Sequence, residues 1–206
     1  MRIVEPGFVI ENDLDGTEIL RRIERAGRTA YKSESRITAE SAPKFVASII
    51  ARGHESVLEH EKITVRIICD RGVSHELVRH RIASYTQEST RFCDYAKAGE
   101  IQVVEPPGLT QNQRDYWESA MLAAERSYQG MRTWGAPPQI ARSVLSTCLK
   151  TEIVITANLR EWRHILRLRT APAAHPQMRQ IMLPLLAELQ RLVPVVFDAI
   201  SERASA

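Results

Sequence analysis

The stretch Thr151-Glu-Ile-Val-Ile-Thr-Ala-Asn158-Leu-Arg-Glu-Trp-Arg-His-Ile-Leu-Arg-Leu-Arg169 decides the fold class. Its first seven residues are rich in β-branched side chains, which suit a pleated, buried strand. Asn158 then offers a side-chain oxygen to the open N–H groups of a helix over Leu159–Arg169. The 3.6-residue period puts Trp162, Ile165, Leu166 and Arg169 on one face. An arginine on an apolar face packs its stem while its head reaches a buried or interfacial partner. Arg160, Arg163, His164 and Arg167 spread over the rest of the surface, and Arg163 and Arg167 are expected to face water.

The same grammar recurs on either side. Residues 2–10 read as an edge strand, because Pro6 lacks an N–H for a ladder on both sides. A helix opens at Asp15-Gly-Thr-Glu, and another runs from Thr38 to Arg52, where Gly53 stops it. Residues 61–70 alternate, with Ile63, Val65 and Ile67 opposite Lys62, Thr64 and Arg66, as in a half-buried strand. A short helix is expected from Gly72 to about Ile82 and a strand over 100–105. A long helix follows from Thr110 to Trp134, stopped by Gly135, then a helical stretch over 137–145. A final amphipathic helix spans 175–200, with Pro184 and Pro194 as kinks or breaks. Strands alternating with helices give an α/β or α+β chain, a single domain over residues 1–206 with a small central sheet flanked by helices.

Composition narrows the function. The 206 residues are 44% hydrophobic and 26% charged, as in globular proteins. A chain of this length buries roughly 70% of its unfolded surface without a disulfide or metal staple. No apolar run approaches the ~20 residues of a membrane helix, and the N-terminus lacks a signal peptide's apolar core, so a cytoplasmic protein without a membrane partner is expected. A net charge of +3 is small for a nucleic-acid binder that relies on bulk electrostatics. Three scattered cysteines, Cys69, Cys93 and Cys148, show no C-x-x-C and fit a reducing compartment. The pairs His54/His60 and His75/His80 do not share a helix face, so no metal site is expected. Only five of the 28 basic residues are lysine, leaving 23 arginines, whose planar forks match phosphate and carboxylate.

The densest polar segment is Glu76-Leu-Val-Arg79-His80-Arg81-Ile-Ala-Ser-Tyr-Thr-Gln87-Glu88-Ser89-Thr90-Arg91. Three adjacent cationic or near-cationic side chains repel, and an anion among them relieves that repulsion. On a helix they would point about 100° apart and would serve different parts of a large ligand, or two ligands. The hydroxyl, amide and guanidinium donors that follow suit a phosphate and a nucleobase edge. These residues alone fit a nucleotide-binding protein without catalysis as well as an enzyme.

Taken in order, four motifs resemble the flavin-dependent thymidylate synthase family. They are Gly53-His54-x-Ser56-x-x-Glu59-His60, the Arg79-His80-Arg81 string reaching to Ser89, Ala141-Arg142-x-Val-Leu145, and Asn158-x-Arg160-Glu-Trp162-x-His164-x-x-x-Leu168-Arg169. The resemblance covers about Arg28 to Arg179. It implies conversion of dUMP to dTMP with a methylene group from methylenetetrahydrofolate and a hydride from FAD reduced by NADPH. UMP, the substrate of some relatives in nucleoside-antibiotic pathways, is the alternative. It further implies a homotetramer with sites shared between chains. FAD would be held by Ser56, Arg79, His80, Arg81, Asn158, Arg160 and His164. The nucleotide would be held by Glu76, Arg79, Gln87, Glu88, Ser89, Thr90, Arg91, Arg142 and Arg169. Arg169 and Ser89 are the implied catalytic residues, with Arg169 polarising the pyrimidine. His54 would help place folate or the flavin ring. No nucleophilic cysteine is required, which suits a chain whose cysteines lack an activating neighbour. Departures from the family pattern include Ala30 for Cys, Phe92 for Tyr, Ser146 for Pro and Gln177 for Glu.

Overall fold

In the computed structural model, residues 1–200 are described. The strands are β1 (Arg2–Ile3), β2 (Gly7–Ile10), β3 (Lys62–Asp70), β4 (Ala83–Gln87), β5 (Gln102–Val103) and β6 (Lys150–Asn158). The helices are α1 (Gly16–Thr29), α2 (Ser41–Ala51), α3 (Arg71–Leu77), α4 (Gln111–Thr133), α5 (Pro138–Ala141), α6 (Leu159–Arg169), α7 (Pro176–Leu192) and α8 (Pro194–Phe197). Short 3₁₀ turns cover Glu34–Arg36, Glu55–His60 and Arg142–Val144. A four-stranded sheet has the order β2-β3-β6-β4, and β1 pairs with β5 in a separate two-stranded sheet, parallel and in the register Arg2↔Gln102.

The strand and cap signals reappear in the structure. Along β3, Ile63, Val65, Ile67 and Cys69 are buried, and along β6 so are Thr151, Ile153, Ile155 and Ala157. Asn158 caps α6 by accepting from the Glu161 N–H at 2.8 Å. Thr110 and Gln113 close a reciprocal capping box at the start of α4. Gly53 takes φ +73°, and the Gly53 and His54 N–H groups return to Ile50 and Ile49 carbonyls. That is how a helix ends on a residue free to adopt the left-handed region.

Three expectations need correction. The strand over 2–10 is broken at Val4–Pro6 into β1 and β2, which join different sheets, as a residue without an N–H permits. The helix over 72–82 stops at Leu77, and Ala83–Gln87 is strand β4. Arg79, His80 and Arg81 therefore lie in an irregular link rather than on a helix, and the 100° divergence argued for them does not hold. The helix expected over 175–200 breaks at Pro194, one of its two expected breaking points, while Pro184 lies inside α7 without ending it. Arg163 is buried, not solvated. Its guanidinium donates to the Val196 carbonyl and to Glu55 at 3.0 Å, so a carboxylate and a carbonyl replace its lost hydration.

By contact density the chain divides into two compact units, each built from several segments. The first comprises Met1–Gly7, Ile67–Arg79 and Tyr85–Val154, and the second Phe8–Arg66, His80–Ser84 and the chain from Ile155 on. In the first, Ile101, Val103, Met121 and Leu149 form a core with Trp117 and Tyr95 packed on it. In the second, Trp162 is fully buried, and its indole N–H donates to the Ile63 carbonyl at 2.9 Å, tying α6 to β3. Gly27 lets α1 approach α2, because a Cβ there would meet the Phe45 ring at 2.7 Å. No helix among the described residues is long and apolar enough to cross a membrane.

Candidate active site

The expected site residues fall into two groups, one in each unit. In the second unit, α6 carries Arg160, His164 and Arg169. Arg169, near its C-terminal end, donates from Nε to His80 Nε2 at 2.9 Å. His80 is 6% exposed, and its pKa falls to about 4 through burial, then through the Arg169 and His164 charges. The imidazole is thus neutral at pH 7. With Nε2 accepting from Arg169, the ring proton resides on Nδ1, which faces Glu161 Oε1 at 3.7 Å. Burial pushes the Glu161 carboxyl up, against the His164 charge that lowers it. The His164 ring stands edge-on to His80 with centroids 5.7 Å apart.

His80, Glu161 and His164 bring three ligand atoms within 4.8 Å of one another. These are zinc-type donors, a grouping the sequence spacing could not show because His80 comes from a different segment. The Arg169 guanidinium on His80 sets a fixed cation beside the group and opposes a second one.

Beside this cluster lies a cavity of about 470 Å³ whose wall includes Asn158, Arg160, His164, Glu55, Glu59 and Arg167. Three of the expected flavin residues are therefore together. Arg160 donates to Glu59 at 2.6 Å, and Asn158 spends its side-chain oxygen on the α6 cap. The wall mixes guanidinium donors with carboxylate acceptors, which fits both the pyrophosphate and the polyol of a flavin dinucleotide. Arg81 is exposed in the link before β4, and Ser56 is exposed in the 3₁₀ turn Glu55–His60. Ser56 and His54 line another cavity, formed by α1, α2 and that turn.

In the first unit, the nucleotide residues gather around α3, β4 and the turn after it. Gln87 donates to Ser74 Oγ at 2.8 Å and to Thr151 Oγ1 at 3.2 Å, which fixes its amide. Glu88 accepts from Tyr95 at 2.7 Å and Lys150 at 3.3 Å. Arg142 donates to the buried Thr90 hydroxyl at 3.0 Å. Ser89 Oγ accepts from the Arg91 N–H at 3.3 Å, and no general base contacts it among the described residues. Glu76 is half-buried on α3, Arg79 is exposed just after it, and Arg91 is exposed beside Ser89.

Two residues that the sequence does not single out lie beside Thr90 and Arg142. Arg71 and His75 line a cavity of about 300 Å³ with Thr90 and Arg142. Arg71 Nη1 is buried with no hydrogen-bond partner. A signal for it existed: a cation in the first turn of a helix stands against the helix dipole, which suggests that something else holds it there. Burial pushes the Cys69 thiol to about 12, and Cys148 Sγ accepts from the Trp117 indole at 3.4 Å.

Residues 14–195 match the family described as thymidylate synthase complementing protein, Thy1. The chain belongs to this family. It is 35% identical over 182 residues to the flavin-dependent thymidylate synthase of Geobacter sulfurreducens, covering 84% of this chain and 78% of that protein. It is 34% identical to the protein of the same name from Mycobacterium marinum, covering 95% and 84%. The fold is similar to the crystal structure of the UMP/dUMP methylase PolB from Streptomyces cacaoi bound with 5-Br dUMP. That similarity has a TM-score of 0.80 at 20% identity and covers 97% of this chain and 96% of that one. Of the residues that carried the resemblance, His80 and Arg169 lie in the cluster with Glu161, Asn158, Arg160 and His164 line the cavity beside it, Arg142 lines a cavity in the first unit, and His54 and Ser56 line another.

Proposed function

We propose that this protein is a flavin-dependent thymidylate synthase that methylates C5 of dUMP, with UMP as the alternative nucleotide. The observation that carries the reading is the Arg169–His80 bond. A neutral acceptor at 2.9 Å holds the guanidinium by its Nε and so fixes its plane. An arginine fixed in this way can stabilise negative charge that develops on a pyrimidine carbonyl as N3 loses its proton. Electron density then shifts toward C5, which becomes the nucleophile without attack by a cysteine. When bound and reduced, FAD would supply the hydride that reduces the transferred methylene to methyl, leaving oxidised flavin. NADPH would regenerate the reduced flavin, and methylenetetrahydrofolate would supply the carbon.

Asn158, Arg160 and His164 would hold the flavin, together with Ser56, Arg79, His80 and Arg81. The nucleotide would be held by Glu76, Arg79, Gln87, Glu88, Ser89, Thr90, Arg91 and Arg142, in a homotetramer whose sites several chains share. To these we add Arg71. Its unpartnered buried nitrogen is suited to a phosphate oxygen, because an unmet buried donor costs about 1–3 kcal/mol. Arg71→Gln should weaken dUMP binding roughly tenfold to a hundredfold, the worth of a charge-assisted hydrogen bond. The measurement is calorimetric titration with dUMP, and an unchanged affinity removes Arg71 from the site.

The reading is tested by assay of the FAD-loaded protein with methylenetetrahydrofolate and NADPH. Formation of dTMP from dUMP is expected. The relative kcat/KM for dUMP and UMP assigns the nucleotide, and methylation of neither overturns the proposal. A colourless protein without affinity for FAD would instead favour the non-catalytic nucleotide-binding alternative.

A further inference from the structure

Glu88 stands among the residues expected to hold the nucleotide, yet its carboxylate is engaged elsewhere in the first unit. Tyr95 donates its phenol proton to Oε1 at 2.7 Å. Lys150 Nζ donates to Oε2 at 3.3 Å while also reaching Glu152 at 2.6 Å. Hydrogen bonds to an ionised carboxylate are the strong ones, and here both oxygens make them. The side chain also faces a different space. Glu88 lines a cavity of about 250 Å³ with Asp94, Tyr95, Glu100 and Lys150, and none of the other expected nucleotide residues lines it. Thr90 and Arg142 instead line the cavity they share with Arg71.

The grip on Glu88 is itself anchored. The Tyr95 N–H donates to the Tyr128 hydroxyl at 3.3 Å, and the two rings stand edge-on with centroids 5.9 Å apart. Tyr128 is fully buried on α4. One residue before Tyr95, Asp94 accepts from Arg132 of α4 at 3.0 and 2.7 Å. On the other side, the Glu88 N–H donates to the Glu152 carbonyl of β6 at 2.9 Å. The turn over residues 89–93 is thus slung between β6 and α4. Within it, the Ser89 carbonyl accepts from the Phe92 and Cys93 N–H groups at 3.1 and 2.9 Å. Fixing both ends of so short a segment leaves it few alternative conformations, and this one carries Ser89, Thr90 and Arg91.

We propose that Tyr95 and Lys150 are positioning residues of the nucleotide site, because their grip on the Glu88 carboxylate holds the turn over residues 89–93 in the conformation that presents Ser89, Thr90 and Arg91. The inference rests on the nucleotide reading above and deepens it. Glu88 acts through the turn it anchors, not through contact between its carboxylate and the nucleotide. A turn ordered in advance spares binding the cost of ordering it, so loosening the grip weakens nucleotide binding although Tyr95 touches no nucleotide.

The test combines calorimetric titration with dUMP, which needs no turnover, and amide hydrogen exchange of the protein without nucleotide. Tyr95→Phe keeps the ring against Tyr128 and removes one hydroxyl. It should weaken dUMP binding by about three- to tenfold, the worth of one hydrogen bond. The Arg91, Phe92 and Cys93 amides should exchange faster, as in a segment that opens more readily. In the FAD-loaded enzyme the loss should appear in the KM for the nucleotide more than in kcat, with FAD affinity unchanged. Lys150→Met should act in the same direction, and Lys150→Arg, which keeps a donor for Glu88, should restore most of the affinity. Because Tyr95 acts through Glu88, the Glu88→Ala/Tyr95→Phe double variant should bind dUMP no more weakly than Glu88→Ala alone. Losses that add in the double variant overturn the proposal, as does a Tyr95→Phe variant with parent-like dUMP affinity. Faster exchange with unchanged affinity would make the grip a stability device and overturn the positioning role, and so would an unsubstituted protein that binds no dUMP. Failure to methylate in a protein that binds dUMP with this coupling intact would remove the methylase reading and leave the positioning role standing.

Discussion

Arg169→Ala is expected to lower the rate of pyrimidine methylation by about two to three orders of magnitude, the usual cost of removing one donor aimed at a developing negative charge. The loss should fall on kcat more than on the KM for the nucleotide, because the interaction strengthens only as N3 gives up its proton. Half-buried near the end of α6, Arg169 contributes little to the core, so the melting temperature should stay close to that of the parent. A second readout separates a catalytic role from a structural one. His80 is held at about 4 by burial together with the charges of Arg169 and His164. Loss of the Arg169 cation relieves part of that depression, so the imidazole pKa rises toward its ordinary value of about 6.5, visible in an NMR titration of the ring protons. Stability follows by linkage. In the parent, the unfolded chain takes up a proton below about 6.5 that folded His80 refuses until about 4, so stability falls as the pH drops through that window. In the variant the window narrows from its acidic end. Parent-like turnover in Arg169→Ala would contradict the assigned role, and an unmoved His80 pKa would contradict the electrostatic coupling.

The route from sequence to this site was direct where local rules operate. Alternation announced β3, β-branched side chains announced β6, Asn158 announced the start of α6, and Arg169 on the apolar face of α6 announced a partner away from water. Those signals act over a few residues and follow from the periods of strand and helix. What failed depended on distant partners. Arg163 looks solvated on a helical wheel and is buried because Val196 and Glu55, far away in sequence, supply its acceptors. The Arg79–Arg81 link falls inside the helix expected over 72–82, whereas the chain leaves α3 at Leu77 and enters strand β4 at Ala83. The His80/Glu161/His164 grouping has no spacing signature at all, because two of its members lie on one helix turn and the third arrives from a link some eighty residues earlier. For Arg71 the sequence offers only the weak signal of a cation in a helix's first turn; that one of its nitrogens is buried without a partner depends on the fold.

Trp162→Ala should be the most destabilising single substitution argued for this chain. The side chain is fully buried, and truncating a buried aromatic to alanine costs about 3–5 kcal/mol through lost transfer energy and the cavity left behind. The Ile63 carbonyl, which now accepts from the indole at 2.9 Å, would also lose its partner. For a chain of this size 1 kcal/mol corresponds to about 2–4 °C in melting temperature, so a fall of about 10 °C or more is expected. Trp162→Phe separates the two contributions. It keeps most of the apolar volume and removes only the hydrogen bond, and should cost about 1–2 kcal/mol. The chemical consequence follows from what Trp162 holds. It fastens α6 to β3, and α6 carries Glu161, His164 and Arg169. If that anchor sets the site, Trp162→Phe loosens flavin and nucleotide binding before it threatens the fold, with ligand affinities falling at temperatures well below its melting point. Should Trp162→Ala melt within 2–3 °C of the parent, the burial argument for this helix would be wrong, and with it the claim that β3 is what holds Arg169 in position.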